Sequence, residues 1–175
     1  ESVDLQEYLL EPLEWVDDLI AKGYAVDSGS GTYALKGGNL LRNGSFEEAS
    51  ETWPTFWTRT PGVNAAIDTT STVVDGNAAL RVALTDATNI AIPQVITVEP
   101  NSVYLLRGWI RTENVGGHAA LEIQCGDAAG MKYGGASERF FTGTADWTPL
   151  QAVVDVPADV TRMTVFVRVI NTATV

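Results

Sequence analysis

From Asn39 to its end this chain keeps a period of two, and that alternation restricts its fold more than any other feature. Successive side chains of an extended strand point to opposite faces, so a period of two marks strands with one buried side. Ala79 to Leu84, Ile90 to Val98, Val103 to Thr112, Ala119 to Cys125, Leu150 to Val156 and Arg162 to Ile170 all read as strands. Their β-branched and aromatic residues suit a pleated, half-buried surface. Turn formers separate them: Asp75-Gly76-Asn77, Glu99-Pro100-Asn101, Gly116-Gly117, Gly126-Asp127, Gly143 and Pro157. With no helical stretch between them, these segments predict an all-β, antiparallel β-sandwich of jelly-roll type.

The front of the chain follows a different period. Leu5, Tyr8, Leu9, Leu13, Trp15, Val16, Leu19 and Ile20 recur at three- and four-residue spacing, which predicts a helix over residues 2 to 22. Ser2 or Asp4 is placed to cap its start, and Lys22-Gly23 to stop it. Pro12 has no amide hydrogen and clashes with the preceding turn, so the helix kinks there or a second one begins. Its apolar stripe needs cover, from the sandwich, a sister chain or another protein. Residues 24 to 38 hold Tyr24-Ala25-Val26 and Tyr33-Ala34-Leu35 around a Ser/Gly centre, either a small hairpin or a flexible connector. The expected organisation is an α-helical N-terminal extension and linker over 1–38, then the sandwich over 39–175.

Charge narrows the partners. The 22 acidic residues against 11 basic give a net charge of −11, and the basic ones are scattered. Phosphate polymers and acidic membranes bind through clustered Lys and Arg, so no nucleic acid is expected. No uninterrupted apolar run is long enough to cross a bilayer, so no membrane insertion is expected either. The charge fits a soluble extracellular or particle-surface protein. The sequence opens on Glu1 rather than Met, which points to a removed signal peptide or a piece of a longer chain. Cys125 stands alone and shares strand parity with Leu121 and Ile123, as a small buried hydrophobe would. His118 falls in the expected loop Gly116-Gly117-His118. Nucleophile elbow, phosphate loop and zinc spacings are absent from the sequence, and the reading is that the chain is not an enzyme.

Particular segments resemble a known family. Asn39-Leu40-Leu41-Arg42-Asn43-Gly44-Ser45-Phe46-Glu47-Glu48 followed by Trp53 resembles the opening strand of the jelly-roll carbohydrate-binding modules attached to cellulases and xylanases. Asp75 to Val82, Gln94 to Tyr104, Leu106 to Asn114, Thr142 to Trp147 and Val156-Pro157 resemble later pieces of the same pattern, in the same order. The resemblance covers residues 39 to 175 and implies a galactose-binding-like sandwich. The family's closing Phe-Asp-Asp-Val type strand would begin where this sequence ends, at Thr174-Val175. Either the fragment was cut there or a neighbouring chain completes the sheet by strand addition.

Sugar binding needs flat aromatic faces for C–H-rich rings and planar polar groups for hydroxyls. Arg107, Trp109 and Arg111 share one parity, with Tyr104, Leu106 and Ile110 expected on the core side. Glu122 and Gln124 oppose Leu121, Ile123 and Cys125, while Phe166 and Arg168 oppose Val165, Val167 and Val169. If these strands lie in one sheet, all seven polar and aromatic residues share its outer face as a candidate ligand site. The alternative is an ordinary solvated face with cross-strand Arg–Glu pairs. Trp57 joins the candidates as a loop aromatic, Trp53 is expected to plug one end of the sandwich, and Trp147 to lie in the core. The resemblance also implies a structural calcium ion, Ca2+, with Glu47 or Glu48 as carboxylate and further oxygens near Asp75.

Two functions fit. The first is a non-catalytic module binding a polysaccharide or glycan within a larger secreted or surface assembly. The second is a structural virion or fibre protein, oligomeric, that uses helix 2–22 and an open sheet edge to meet a protein partner or sister chain.

Overall fold

The computed structural model describes residues 25–27, 33–35, 39–71, 73–83, 88–136 and 140–171. The helix expected over 2–22 and the strand expected after Thr174 lie outside the described residues. The chain divides into two compact units, Glu1–Leu40 and Leu41–Val175. In the first, β1 (Ala25–Asp27) pairs antiparallel with β2 (Tyr33–Leu35), so the two short apolar stretches form a hairpin.

The second unit is an antiparallel β-sandwich. Two short hairpins open it: β3 (Ala49–Ser50) with β4 (Trp53–Pro54), and β5 (Ala65–Asp68) with β6 (Ala79–Val82). Five longer strands follow: β7 (Thr88–Thr97), β8 (Ser102–Asp127), β9 (Gly130–Ala136), β10 (Phe141–Val156) and β11 (Arg162–Asn171). They form one sheet in the order β10-β8-β11-β7, with β9 also paired to β8.

The organising element is β8. Sequence spacing predicts two strands separated at Gly116-Gly117, but the ladder runs through them as one strand of 26 residues. The glycines form an irregularity instead of a turn. Val115 pairs with Gly143 and Ala119 with Phe141, so β8 advances four residues while β10 advances two. Asn114 (φ 52°) and Gly143 (φ 66°) take the left-handed conformation beside this shift. His118 therefore stands in a strand, opposite Ile170, with its ring edge-on to Phe140 at 4.9 Å.

The shifts also invert the strand's facing. In the first half Leu106 is buried and Arg107, Trp109 and Arg111 are exposed; in the second half Ile123 and Cys125 are buried. Leu106, Ile123 and Cys125 belong to one core cluster with Ala152, Val156, Met163 and Val165. The sheet thus curls over, and the two halves of β8 face each other across the core. They approach closely at Gly108, where a Cβ would sit 3.1 Å from Leu121 Cδ1. A second cluster joins Trp53 and Trp57 to Ile90 and Ile92, with Phe46, Leu80 and Val167 packed on it. Trp53 donates its indole N–H to the Trp57 carbonyl at 2.9 Å, as befits a tryptophan closing the sandwich.

Two buried positions among the described residues are polar, Thr112 and Gln94. Gln94 shares the inward parity of Ile90, Ile92 and Val98 and is 3% exposed. Its amide reads a backbone: Oε1 accepts the Arg42 N–H at 2.7 Å and Nε2 donates to the Arg42 carbonyl at 2.9 Å. The opening segment is held to β7 by this side chain. A further strand, β9, has weak β-propensity (Gly-Met-Lys-Tyr-Gly-Gly-Ala). It forms because Ala128-Ala129 makes a two-residue reversal, with Asp127 Oδ1 accepting the Ala129 N–H at 2.8 Å.

Two stability predictions follow from these contacts. Gly108→Val overpacks the crossing and costs about 1–3 kcal/mol, whereas Gly134→Ala, with only the Ile123 carbonyl at 3.9 Å, is nearly neutral. Urea midpoints of the two variants check this, and Leu121→Ala should recover part of the Gly108→Val loss. Gln94→Leu strands the Arg42 amide and carbonyl, with an expected loss of about 1–3 kcal/mol in the same assay.

Candidate functional site

The seven strand residues expected on one face occupy two. Because β8 inverts, Arg107, Trp109 and Arg111 lie outside the β8–β10 half of the sheet. Glu122, Gln124, Phe166 and Arg168 lie outside the half made by β7, β11, β8 and β9. The parity pattern was right within each segment. The inversion between residues 112 and 119 was not visible in it.

The second group forms a compact face whose rows follow from the register. Across β7, β11 and β8, one row is Ala91, Arg168 and Ala120. The next is Pro93, Phe166 and Glu122, and the third is Val95, Thr164 and Gln124, continued on β9 by Gly134. Phe166 therefore sits centrally with Pro93 on one side and Glu122 on the other. Arg168 Nε lies 3.5 Å from Glu122 Oε1. Nε makes no hydrogen bond and is closed off from solvent, so this is a charge contact on the buried side of the guanidinium. On the margins Ala91 and Gly134 are small, Val95 projects at 49% exposed, and Ala120 is fully buried. A cavity of about 260 Å³ opens elsewhere, between β9 and β10, lined by Ile123, Cys125, Tyr133 and Val153. Burial in that region pushes the Cys125 thiol up from its ordinary value and keeps it neutral.

The loop before β5 borders the β7 edge. Thr58 N–H donates to the Pro93 carbonyl at 2.9 Å, and Thr60 Oγ1 to the Ala91 carbonyl at 2.7 Å. Trp57, expected as a ligand aromatic, is 6% exposed and donates its indole N–H to the Asn43 carbonyl at 3.2 Å. It belongs to the core, because the buried strand β4 just before it turns the loop inward. Its neighbour Phe56 takes the surface position. It is 43% exposed, sits at φ 70°, and carries the Arg42 guanidinium 3.4 Å above its ring. A bulky residue holds that backbone conformation only where surroundings fix it. Here Asn43 does so, donating to the carbonyls of Glu48 (2.7 Å) and Thr55 (3.2 Å) and accepting the Glu48 N–H (3.0 Å). Phe56 and Pro93 escaped the sequence reading, since loops carry no parity and a proline on an edge strand offers no polar group that would mark a site. Trp147, expected in the core, is half-buried.

Of the carboxylates expected around calcium, Glu47 sits against the turn that contains Asp75, and Glu48 turns to Thr55. Glu47 Oε1 accepts the N–H groups of Asn77 (2.8 Å) and Ala78 (3.1 Å), while Glu48 Oε2 accepts from Thr55 Oγ1 (3.3 Å). Glu47 thus pins the turn that contains Asp75, and a Cβ on Gly76 (φ 69°) would collide with its Oε1. Amide donors surround that oxygen where a cation would need further oxygens. Among the described residues no group of three His, Cys, Asp or Glu side chains forms a metal cluster.

A lysine ties down β9. Lys132 Nζ lies 3.0 Å from Asp127 Oδ2 and 2.9 Å from Asp159 Oδ2, and donates to the Asp159 carbonyl at 3.0 Å. Hydrogen bonding by Lys132 holds both carboxyls below their usual range, and the same bonds raise the lysine.

Residues 38–174 match the family model described as a carbohydrate binding domain. The chain belongs to that family. This carbohydrate-binding domain is 28% identical over 139 residues to the "tRNA nuclease WapA" of Bacillus subtilis (strain 168), covering 75% of this chain and 6% of that protein. It is equally similar, at 28%, to the "tRNA3(Ser)-specific nuclease WapA" of Bacillus spizizenii. The chain thus spans about 6% of the length of these relatives. Among solved structures it is similar to "Family 16 Carbohydrate Binding Module-2", with a TM-score of 0.55, 21% identity, and coverage of 76% of this chain and 92% of that one. It is also similar to the enzymatically active domain of bacteriophage CBA120 tailspike protein 4, with a TM-score of 0.60, 16% identity, and coverage of 77% and 20%. Likeness at these identities shows the sandwich fold. No helix among the described residues is long and apolar enough to cross a membrane.

The lysine clamp gives a pH prediction. Depressed carboxyls stabilise the fold above their unfolded values, near 4, and lose that contribution as pH falls through the lower folded values. The raised lysine contributes below its unfolded value, near 10.4, and loses it as pH rises further. Lys132→Met should therefore flatten the acid-side fall in the urea midpoint relative to wild type. Parallel curves for the two proteins between pH 6 and 2 would refute the clamp.

Proposed function

We propose that this chain is a non-catalytic module that holds a longer secreted or surface protein onto a polysaccharide, with the sugar lying on the face centred at Phe166. The observation that carries the reading is that face itself. One aromatic ring lies among Thr164, Glu122, Gln124 and Arg168, on a broad sheet surface. The ring offers stacking, and the carboxylate, amide and guanidinium offer paired hydrogen bonds to vicinal hydroxyls. Membership of a carbohydrate-binding domain family supports it. Phe56 at the β7 edge adds a second aromatic surface in a fixed loop.

The module reading fits the small share of the WapA relatives that the chain spans. A net charge of −11 also favours a neutral polymer on this face.

Affinity electrophoresis against neutral cellulosic, xylan and mannan polymers tests the proposal. At least one polymer should retard the wild type. Phe166→Ala should weaken that retardation about tenfold or more, since stacking and paired hydrogen bonds are each worth on the order of 1 kcal/mol or above. Glu122→Ala should do likewise, with the urea midpoint reported alongside. Retardation by none of these polymers would move the weight to the structural role in assembly.

A further inference from the structure

The opposite outer face carries a second constellation that the Phe166 site does not use. On β8 Arg107, Trp109 and Arg111 point away from the core, and all three are exposed, Trp109 to 36%. Across the register Arg107 faces Gln151 and Trp109 faces Pro149 on β10. The β10 irregularity lies between Ala145 and Thr148, so Arg111 stands opposite it, outside the regular ladder. Val153, one row from Arg107, is 46% exposed and extends the apolar ground.

Neither arginine joins the ion pairs found among the described residues, which are Lys132 with Asp127 and Asp159, and Arg168 with Glu122. Their guanidinium groups come from alternate positions on one strand, about 13 Å apart at roughly 3.3 Å per residue. The tryptophan lies midway between them. Among the described residues, acidic positions near the strip are Glu113 beyond Arg111, Asp146 in the β10 bulge across from Arg111, and Asp155 opposite Val103. The net charge of −11 acts on a ligand through salt water, where fields fade over about 8–10 Å. A chain lying across Trp109 meets both arginines, Arg107 beside Gln151 and Arg111 beside Asp146.

We propose that this strip is a second glycan site, selective for sugars that carry a ring carboxylate. Trp109 would take the C–H face of one sugar, and Arg107 and Arg111 would each grip a carboxylate in the planar two-donor geometry that suits arginine. Gln151 is placed to bond a hydroxyl beside Arg107. The strip shares the family's sugar-binding character but does not rest on the Phe166 face, and the two can be tested apart.

The test titrates oligomers of hexuronic acids, and the same oligomers after carboxyl reduction, into the protein while tryptophan fluorescence and calorimetry are followed. Wild type should bind the carboxylated oligomers at least about tenfold more tightly than the reduced ones, as one or two charge-assisted contacts imply. The Arg107→Gln/Arg111→Gln variant, checked for an unchanged urea midpoint, should lose that preference. Trp109→Ala should lose the fluorescence response, and Phe166→Ala should bind the uronate oligomers like wild type. Equal affinity for charged and reduced oligomers would overturn the proposal. So would uronate binding that survives the arginine variant or disappears with Phe166→Ala. No binding of any uronate oligomer by folded wild type would overturn it too, while leaving neutral-polymer binding by the Phe166 face to its own assay.

Discussion

The close approach of Gly108 to Leu121 is the contact on which this architecture turns. A single strand supplies both walls of the core at that point, and a side chain there would press on the Leu121 methyl. The irregularities between Thr112 and Ala119 make the approach possible. They add residues to β8 relative to β10 and reverse the side that faces inward. Everything placed on β8 depends on that reversal, including which residues reach solvent on each half.

The reversal gives one strand two different outer faces. The half paired with β10 presents a narrow strip of two arginines around a tryptophan. The half between β11 and β9 presents a broader surface, where Phe166 lies among polar groups and small residues. Charges on that surface are kept near one another, as with Arg168 and Glu122 at 3.5 Å, without a hydrogen bond at Nε. Polar residues with a structural task behave otherwise. Gln94 spends its amide on the Arg42 backbone, Asn43 fixes the Phe56 loop, and Glu47 pins the turn after Asp75.

Much of the fold was legible because burial writes a period of two into each strand. Ile90 to Val98 and Arg162 to Ile170 were found nearly to the residue, and the family pattern from Asn39 onward agreed. Strand β9 was not legible, since its glycine-rich sequence pairs only because the Asp127 reversal delivers it to β8. Gly116-Gly117 misled, as glycines mark bulges as readily as turns. At the site, parity chose the right side chains within each strand but could not register the inversion. It therefore merged two faces into one. Trp57 and Phe56 show the same limit in a loop: adjacent aromatics trade core and surface roles according to backbone geometry that no periodicity records.

The central claim is that sugar meets the sheet at Phe166. It is tested most directly by backbone amide chemical-shift mapping during titration with whichever neutral oligosaccharide binds. Perturbations gathered on Glu122, Gln124, Thr164, Phe166 and Arg168, with the amides of residues 105–111 unmoved, are the predicted result. Perturbations centred away from these strands, or spread over the loops alone, would contradict the account.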